Sequence, residues 1–136
     1  MATLSDLLIR QANIFDVQQI TTVWLEGVSQ QDMTVIGYED ASAAFLTHVR
    51  MQDLNFKFWV CEDNMGQIIG WQSILPFHAT PHPLVRNGFA QSSTYVQRDH
   101  RHTGVGKMLL QHALDYCTSS TSIKYVCVGW SSKNGQ

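Results

Sequence analysis

The hexapeptide Arg101-His102-Thr103-Gly104-Val105-Gly106 stands between a run of strand formers, Ser92-Ser93-Thr94-Tyr95-Val96, and a helix-like run, Lys107-Met108-Leu109-Leu110-Gln111-His112-Ala113-Leu114. A chain that must pass from strand to helix in so short a space has few conformations available. Glycine at 104 and 106 removes the β-carbons that would block close approach of a ligand. The amides of a helix's first turn have no intrahelical acceptor, and they lie at the positive end of the helix dipole. The segment therefore reads as a backbone cradle for an anion, phosphate above all.

Two other glycine-rich readings fail on particular residues. A P-loop needs a hydroxyl after its Gly-Lys pair to hold magnesium, and Gly106-Lys107 is followed by Met108. A dinucleotide fingerprint needs a third glycine and a later acidic residue closing a second parallel strand, and the chain offers neither. A glycine turn that only joins strand to helix is the bland alternative.

Upstream, Leu7 to Ala12 reads as a first strand, and Asn13-Ile14-Phe15 leads into a helix. Asp16 is its expected cap, Gln19 completes a capping box, and Phe15 with Ile20 have the spacing of a hydrophobic staple. Ile20, Val23, Trp24 and Val28 form a core stripe at helical spacing. A second helix is expected from Asp40 as cap, with Ala41, Ala44, Phe45 and His48 on one face. Phe56 to Glu62 and Gln67 to Leu75 are two strands joined by the turn residues Asp63-Asn64-Met65-Gly66, a hairpin. All three prolines, Pro76, Pro81 and Pro83, fall in the next segment, which should be a loop up to Gly88. A strand over Phe89 to Val96 follows. After the glycine segment, Leu110, Ala113, Leu114 and Cys117 make the buried stripe of a helix, and Ile123 to Val128 is a last strand.

A chain of 136 residues fits one domain. At 44% hydrophobic and 15% charged it is globular in composition, and a net charge of -2 supplies no basic field for nucleic acid. Cys61, Cys117 and Cys127 have no metal-ligand spacing and sit in apolar runs, as buried thiols of a reducing compartment do. His78 and His82 lack a third ligand, so no metal is expected. Leu7-Leu8-Ile9 is too short for a signal-peptide core and no run reaches membrane-spanning length, which points to a cytoplasmic protein with no membrane partner.

Strand, hexapeptide and helix together resemble the acetyl-CoA pyrophosphate loop of the GNAT N-acetyltransferase superfamily, whose signature is Gln/Arg-x-x-Gly-x-Gly/Ala. The longer run from Gln91 to Gly106, with Gly70-Trp71 and Pro76-Phe77, resembles its phosphinothricin acetyltransferase branch. The resemblance implies an α/β GNAT fold, a mixed sheet flanked by helices. The order of strand, two helices, three strands, helix and strand fits that fold through its fifth strand. Residues 1–136 would then be a single GNAT domain that lacks the last helix and strands, so a truncated member or a homodimer in which a second subunit covers the open edge is expected.

The resemblance also implies site residues. Acetyl-CoA would be held by Thr94, Tyr95 and Val96 along the strand, by Arg101, His102, Thr103, Gly104, Val105, Gly106 and Lys107 in the loop, and by Asn134 after the last strand. The branch commonly carries a glutamate base where this chain has Gln91, which cannot accept a proton in that way. Gln91 and Tyr95 are the candidate catalytic positions, and Glu26, Glu39, Asp99, His100 and His102 are further proton-transfer candidates. Arg86 and Trp71 are candidate acceptor-binding residues, with Trp24 and Trp59 as further walls. The implied activity is acetyl transfer to the primary amine of a small molecule, an amino acid or analogue of the phosphinothricin or methionine sulfoximine type. A catalytically impaired domain that binds acetyl-CoA or a partner is the alternative.

Overall fold

A computed structural model of the chain describes residues 6–28, 37–76 and 88–128. Five strands form one sheet in the order β1-β2-β3-β4-β5: β1 (Leu8–Gln11), β2 (Phe58–Glu62), β3 (Ile68–Pro76), β4 (Phe89–Val96) and β5 (Tyr125–Val128). Every neighbouring pair is antiparallel except β4 and β5, which are parallel and joined by the crossover helix α3 (Val105–Ser120). The helices α1 (Val17–Val28) and α2 (Tyr38–Arg50) pack on the other face. This is the mixed, helix-flanked sheet expected of the GNAT fold.

The two faces have separate cores. Under α1 and α2, Ile20, Val23, Val49, Phe58, Val60 and Trp71 are buried together. Under α3, Val105 and Leu109 pack on Cys61, Ile69 and Val96, while Ala113 and Cys117 pack on Trp59, Ile74 and Ala90. Each large aliphatic side chain withdrawn from water contributes about 1.5–3 kcal/mol before entropy is charged against it. The α3 stripe is thus Val105, Leu109, Ala113 and Cys117, whereas Leu110 and Leu114 are only half-buried. The four buried residues follow one i+4 row that begins inside the glycine segment, so Ala113 and Cys117 are buried as expected while Val105 and Leu109 take the places expected of Leu110 and Leu114.

A one-residue bulge positions that helix. Cys61 pairs with Gly70 but Glu62 pairs with Ile68, leaving Ile69 as the extra residue of β3. Ile69 and Gly70 then both meet α3, and a β-carbon on Gly70 would lie 3.1 Å from Leu109 Cδ1 and 3.1 Å from the Tyr95 carbonyl oxygen. Glycine is needed here for close approach.

The first helix starts differently from the expectation. Asn13 caps a 3-10 turn, Ile14–Asp16, that runs into α1, accepting from the Phe15 amide at 2.9 Å while Asp16 accepts from the Asn13 amide at 2.8 Å. Asp16 is the far member of the capping box, because Arg10 of β1 holds its carboxylate in a two-pronged pair, each contact 2.9 Å. Phe15 is 86% exposed and forms no staple, and the Gln19 side chain accepts from the Ile68 amide of β3 instead. Gly37, not Asp40, precedes α2, and Ala44 is exposed, with Ala41, Phe45 and Val49 facing the core. Cys127 is exposed because β5 is an edge strand among the described residues, whereas Cys61 and Cys117 are buried as expected. No helix among the described residues is long and apolar enough to cross a membrane.

Candidate active site

The site grows from the backbone of β4. The Gln97 amide donates to the Ile69 carbonyl at 2.8 Å. Ladder alternation then directs Tyr95 and Ser93 toward their β3 partners Trp71 and Ser73, and turns the backbone groups of Thr94 and Val96 to the opposite side. On that side β5 pairs only with Phe89 to Ser92. Beyond Ser92 the β4 edge therefore has no strand beside it among the described residues, and a polar ligand can pair there as a strand would. Tyr95, expected to share in that pairing, spends its backbone groups on β3.

Side-chain contacts hold this edge in place. Gln72 on β3 is fully buried, donating to the Ser92 hydroxyl at 2.7 Å and to the Ser73 carbonyl at 3.1 Å, while the Thr94 hydroxyl donates to its Oε1. A buried amide this well satisfied fixes one arrangement of β3 against β4. Sequence reasoning missed Gln72, although a glutamine inside the apolar run Ile68 to Leu75 was the available signal.

The cradle follows β4. Arg98–His100 form a single 3-10 turn, whose first amide, that of Arg98, donates to Glu26 Oε1 of α1 at 2.9 Å. The Arg101 amide donates to the Arg98 carbonyl at 3.3 Å, and its side chain donates from Nε to the Val96 carbonyl at 3.1 Å. Arg101 thus braces the loop with its side chain instead of offering a free amide to the cradle. His102 and Gly104 both have left-handed backbone, with φ of 64° and 94°. For histidine that conformation is strained, and strain of this kind gathers at functional sites.

Gly104 caps α3, whose first backbone bond runs from the Met108 amide to the Gly104 carbonyl at 3.0 Å. The amides of Val105, Gly106 and Lys107 precede it and have no intrahelical acceptor. His102, Thr103, Gly104 and Lys107 are exposed around the helix start and Gly106 is half-buried, whereas Val105 is 2% exposed with its side chain in the core. In sequence the segment carries Arg98, Arg101 and Lys107 against Asp99, and Glu26 of α1 adds a second carboxylate at the Arg98 amide. His100 Nδ1, beneath the loop, is buried with no hydrogen-bond partner among the described residues. The first-turn amides of α3, without intrahelical acceptors and with Lys107 exposed beside them, fit an incoming pyrophosphate.

At the other end of β4, Gln91 pairs with Leu75 on one side and Cys127 on the other, and it is exposed. Tyr95 lies on the same sheet face, stacked on Trp71 with ring centroids 4.9 Å apart. Burial pushes the Tyr95 phenol above its ordinary pKa, with a hydrogen bond donated by the Trp24 indole opposing part of the shift. It stays neutral at physiological pH. Trp71 is 2% exposed and donates its indole N–H to the Ile20 carbonyl at 3.1 Å, so that residue supports the sheet from within the core and does not wall an open pocket. Trp59 is 5% exposed and is likewise core, against His112 and Tyr116 of α3.

Among the proton-transfer candidates, Glu26 is committed to the Arg98 amide, and Glu39 lies exposed in the first turn of α2. Burial, with the nearby Asp63 and Glu62, pushes the Cys61 thiol up to about 11, which removes it as a nucleophile. Arg86, the proline loop with His78 and His82, and Asn134 fall outside the described residues.

The chain belongs to the GNAT acetyltransferases: residues 55–134, more than half of it, match the family model described as an acetyltransferase (GNAT) domain. No curated protein gives a match. Among solved structures it is similar to a GCN5-related N-acetyltransferase from Kribbella flavida, with a TM-score of 0.68 and 23% identity over 84% of this chain and 66% of that one. A phosphinothricin acetyltransferase from Sinorhizobium meliloti, solved in complex with acetyl-CoA, gives 0.69 and 22% identity over 84% of this chain and 60% of that one. Glucosamine-6-phosphate N-acetyltransferase from Arabidopsis thaliana gives 0.64 and 18% identity over 94% and 84%. The chain thus spans less than two thirds of the length of the first two. At these identities the likeness concerns the fold, and the differing acceptors in those names indicate that the fold alone does not choose one.

Proposed function

We propose that this chain is an acetyl-CoA-dependent N-acetyltransferase domain acting on the primary amine of a small molecule, an amino acid or analogue of the phosphinothricin or methionine sulfoximine type. The observation that carries the reading is that the first-turn amides of α3 at Val105–Lys107, which have no intrahelical acceptor, follow the edge of β4 that has no strand beside it at Thr94. One feature suits a pyrophosphate, the other the amide-bearing arm that joins it to a thioester. We also propose a single domain working in the cytoplasm without a metal, and a homodimer.

Acetyl-CoA supplies an activated thioester whose carbonyl carbon accepts the amine while the C–S bond breaks and thiolate departs. The chain's own residues bind and orient. The first-turn amides of α3 hold negative charge, Lys107 adds a cation, and the Thr94 amide is free to donate to an oxygen beside β4. Holding both reactants in register is the largest contribution that such a backbone site makes. The amine must shed a proton, to water or to a base, and Gln91 occupies the position where the family commonly has a glutamate.

Calorimetric titration with acetyl-CoA, followed by assay of free CoA in the presence of small amines, tests the proposal. Saturable binding with amine-dependent release is the expected outcome. Absence of binding by a cooperatively folded sample would sink it. The second reading, a domain that holds acetyl-CoA without turnover, is favoured specifically by Gln91, and saturable binding without CoA release from any amine would establish it.

A further inference from the structure

The last turn of α2, the segment 51–56 and the end of β3 enclose a cavity of about 410 Å³, within the range of small-molecule sites. Met51, Phe56, Leu75 and Pro76 give it apolar walls, and His48 and Asp53 contribute polar groups. Among the described residues Asp53 is its only carboxylate, and neither lysine nor arginine lines it. Asp53 is also held in place, its Oδ1 accepting from the amides of Asn55 and Phe56 at 2.9 Å each.

The cavity adjoins the candidate site. Side chains alternate along a strand, so Leu75 shares with Trp71 the sheet face covered by α1 and α2, and Gln91 lies opposite Leu75 on β4 with the same orientation. A ligand seated against Leu75 therefore reaches the exposed Gln91. We propose that this cavity receives the distal end of the acceptor and selects a cationic terminus over an anionic one, the ligand being a basic amino acid or comparable diamine. This rests on the acetyl-transfer reading above but departs from its acceptor type, because the distal phosphinate of phosphinothricin is anionic and would be the disfavoured terminus here. An ammonium gains a charge-assisted hydrogen bond to Asp53, whereas a carboxylate there would meet a like charge between apolar walls.

The test uses L-ornithine, L-norleucine and L-glutamate, whose side chains have similar reach and end in ammonium, methyl and carboxylate. Each is titrated into the protein without cofactor at neutral pH, and each is then assayed as acceptor. Wild type should bind ornithine at least about tenfold more tightly than glutamate, with norleucine between them. Asp53→Asn keeps the Oδ1 acceptor for both amides, and should cut that ratio to about threefold or less while leaving acetyl-CoA affinity unchanged. Leu75→Trp, which fills the cavity, should weaken all three ligands.

Equal binding of the three, a preference for glutamate, or an unchanged ratio in Asp53→Asn overturns the proposal. Failure of all three to bind while acetyl-CoA binds also overturns it, and leaves the transferase reading standing. Failure of acetyl-CoA to bind counts against that reading, and the cofactor-free titrations still decide the cavity.

Discussion

The two ends of β4 are built by different means. At its C-terminal end the groups proposed to meet ligand are backbone: the Thr94 amide, then the amides of Val105, Gly106 and Lys107, held by the Gly104 cap, the Arg101 brace on Val96 and the buried Gln72. At its N-terminal end the groups proposed to meet ligand are side chains, Gln91 on β4 and Leu75, His48 and Asp53 from remote segments. A backbone site depends on conformation, so it tolerates many side chains but few changes at glycine. A side-chain site depends on identity, so it can be retuned one residue at a time without disturbing the fold.

Gly104→Asp gives the largest expected effect. A β-carbon at φ 94° is strained, and the added carboxylate repels an anion at the helix start. Acetyl-CoA affinity should fall about a hundredfold or more in a calorimetric titration, while a cooperative melt persists because aspartate is itself a good cap in other conformations. Retained affinity would mean that the backbone end is less dependent on conformation than the comparison holds.

Gly70→Ala should come next. The new β-carbon has room only if Leu109 gives way, and the Tyr95 carbonyl cannot. A loss of about 1–2 kcal/mol in thermal or urea unfolding is expected, with weaker acetyl-CoA binding as α3 is pushed off β3. An unchanged melt would show that the bulge at Ile69 can absorb the strain.

Gln91→Glu probes the other end. If side-chain identity limits that end, a carboxylate there should raise kcat/KM for a responsive amine by about tenfold, below the roughly hundredfold or more of a fully positioned base, because the residue is exposed. Acetyl-CoA affinity should not move. No gain at any pH from about 7 to 9 would remove this position from proton transfer.

The same contrast explains what the sequence made legible. The strand Phe89 to Val96, the hairpin with Gly66 at φ 78° and the glycine cradle are local patterns, and the structure has them where the residues indicate. Errors arose where a distant partner decided. Asp16 looked like a cap but is claimed by Arg10, Gln19 is drawn to Ile68, and the α3 stripe is fixed by Val105 meeting the bulge at Ile69 and Gly70. The cavity beside Gln91 joins residues from α2, the segment after it and the end of β3, a combination that no single periodicity marks.

The smallest expected effect on the site comes from the far corner of the sheet, and it separates folding from binding. Asp16 is 5% exposed, and burial alone would raise its pKa, but the hydrogen bonds from Arg10 and the Asn13 amide outweigh burial and hold the carboxyl below the ordinary carboxylate value. Arg10 is in turn raised, chiefly by the Asp16 hydrogen bond, with Glu62 at 3.0 Å adding to it. A folded pKa below the unfolded one means that the unfolded chain binds the proton first as pH falls. The stabilisation is therefore complete above about pH 4 and is lost progressively below it. Asp16→Asn should cost about 1 kcal/mol at neutral pH and flatten the acid limb of a pH-dependent unfolding curve, so that variant and wild type converge in acid. Acetyl-CoA affinity at neutral pH should be the same for both. A variant that folds but binds acetyl-CoA several-fold more weakly would show that the cradle depends on the β1–α1 corner, through Glu26 and its hold on Arg98, and that the backbone end of β4 is less self-contained than its local geometry implies.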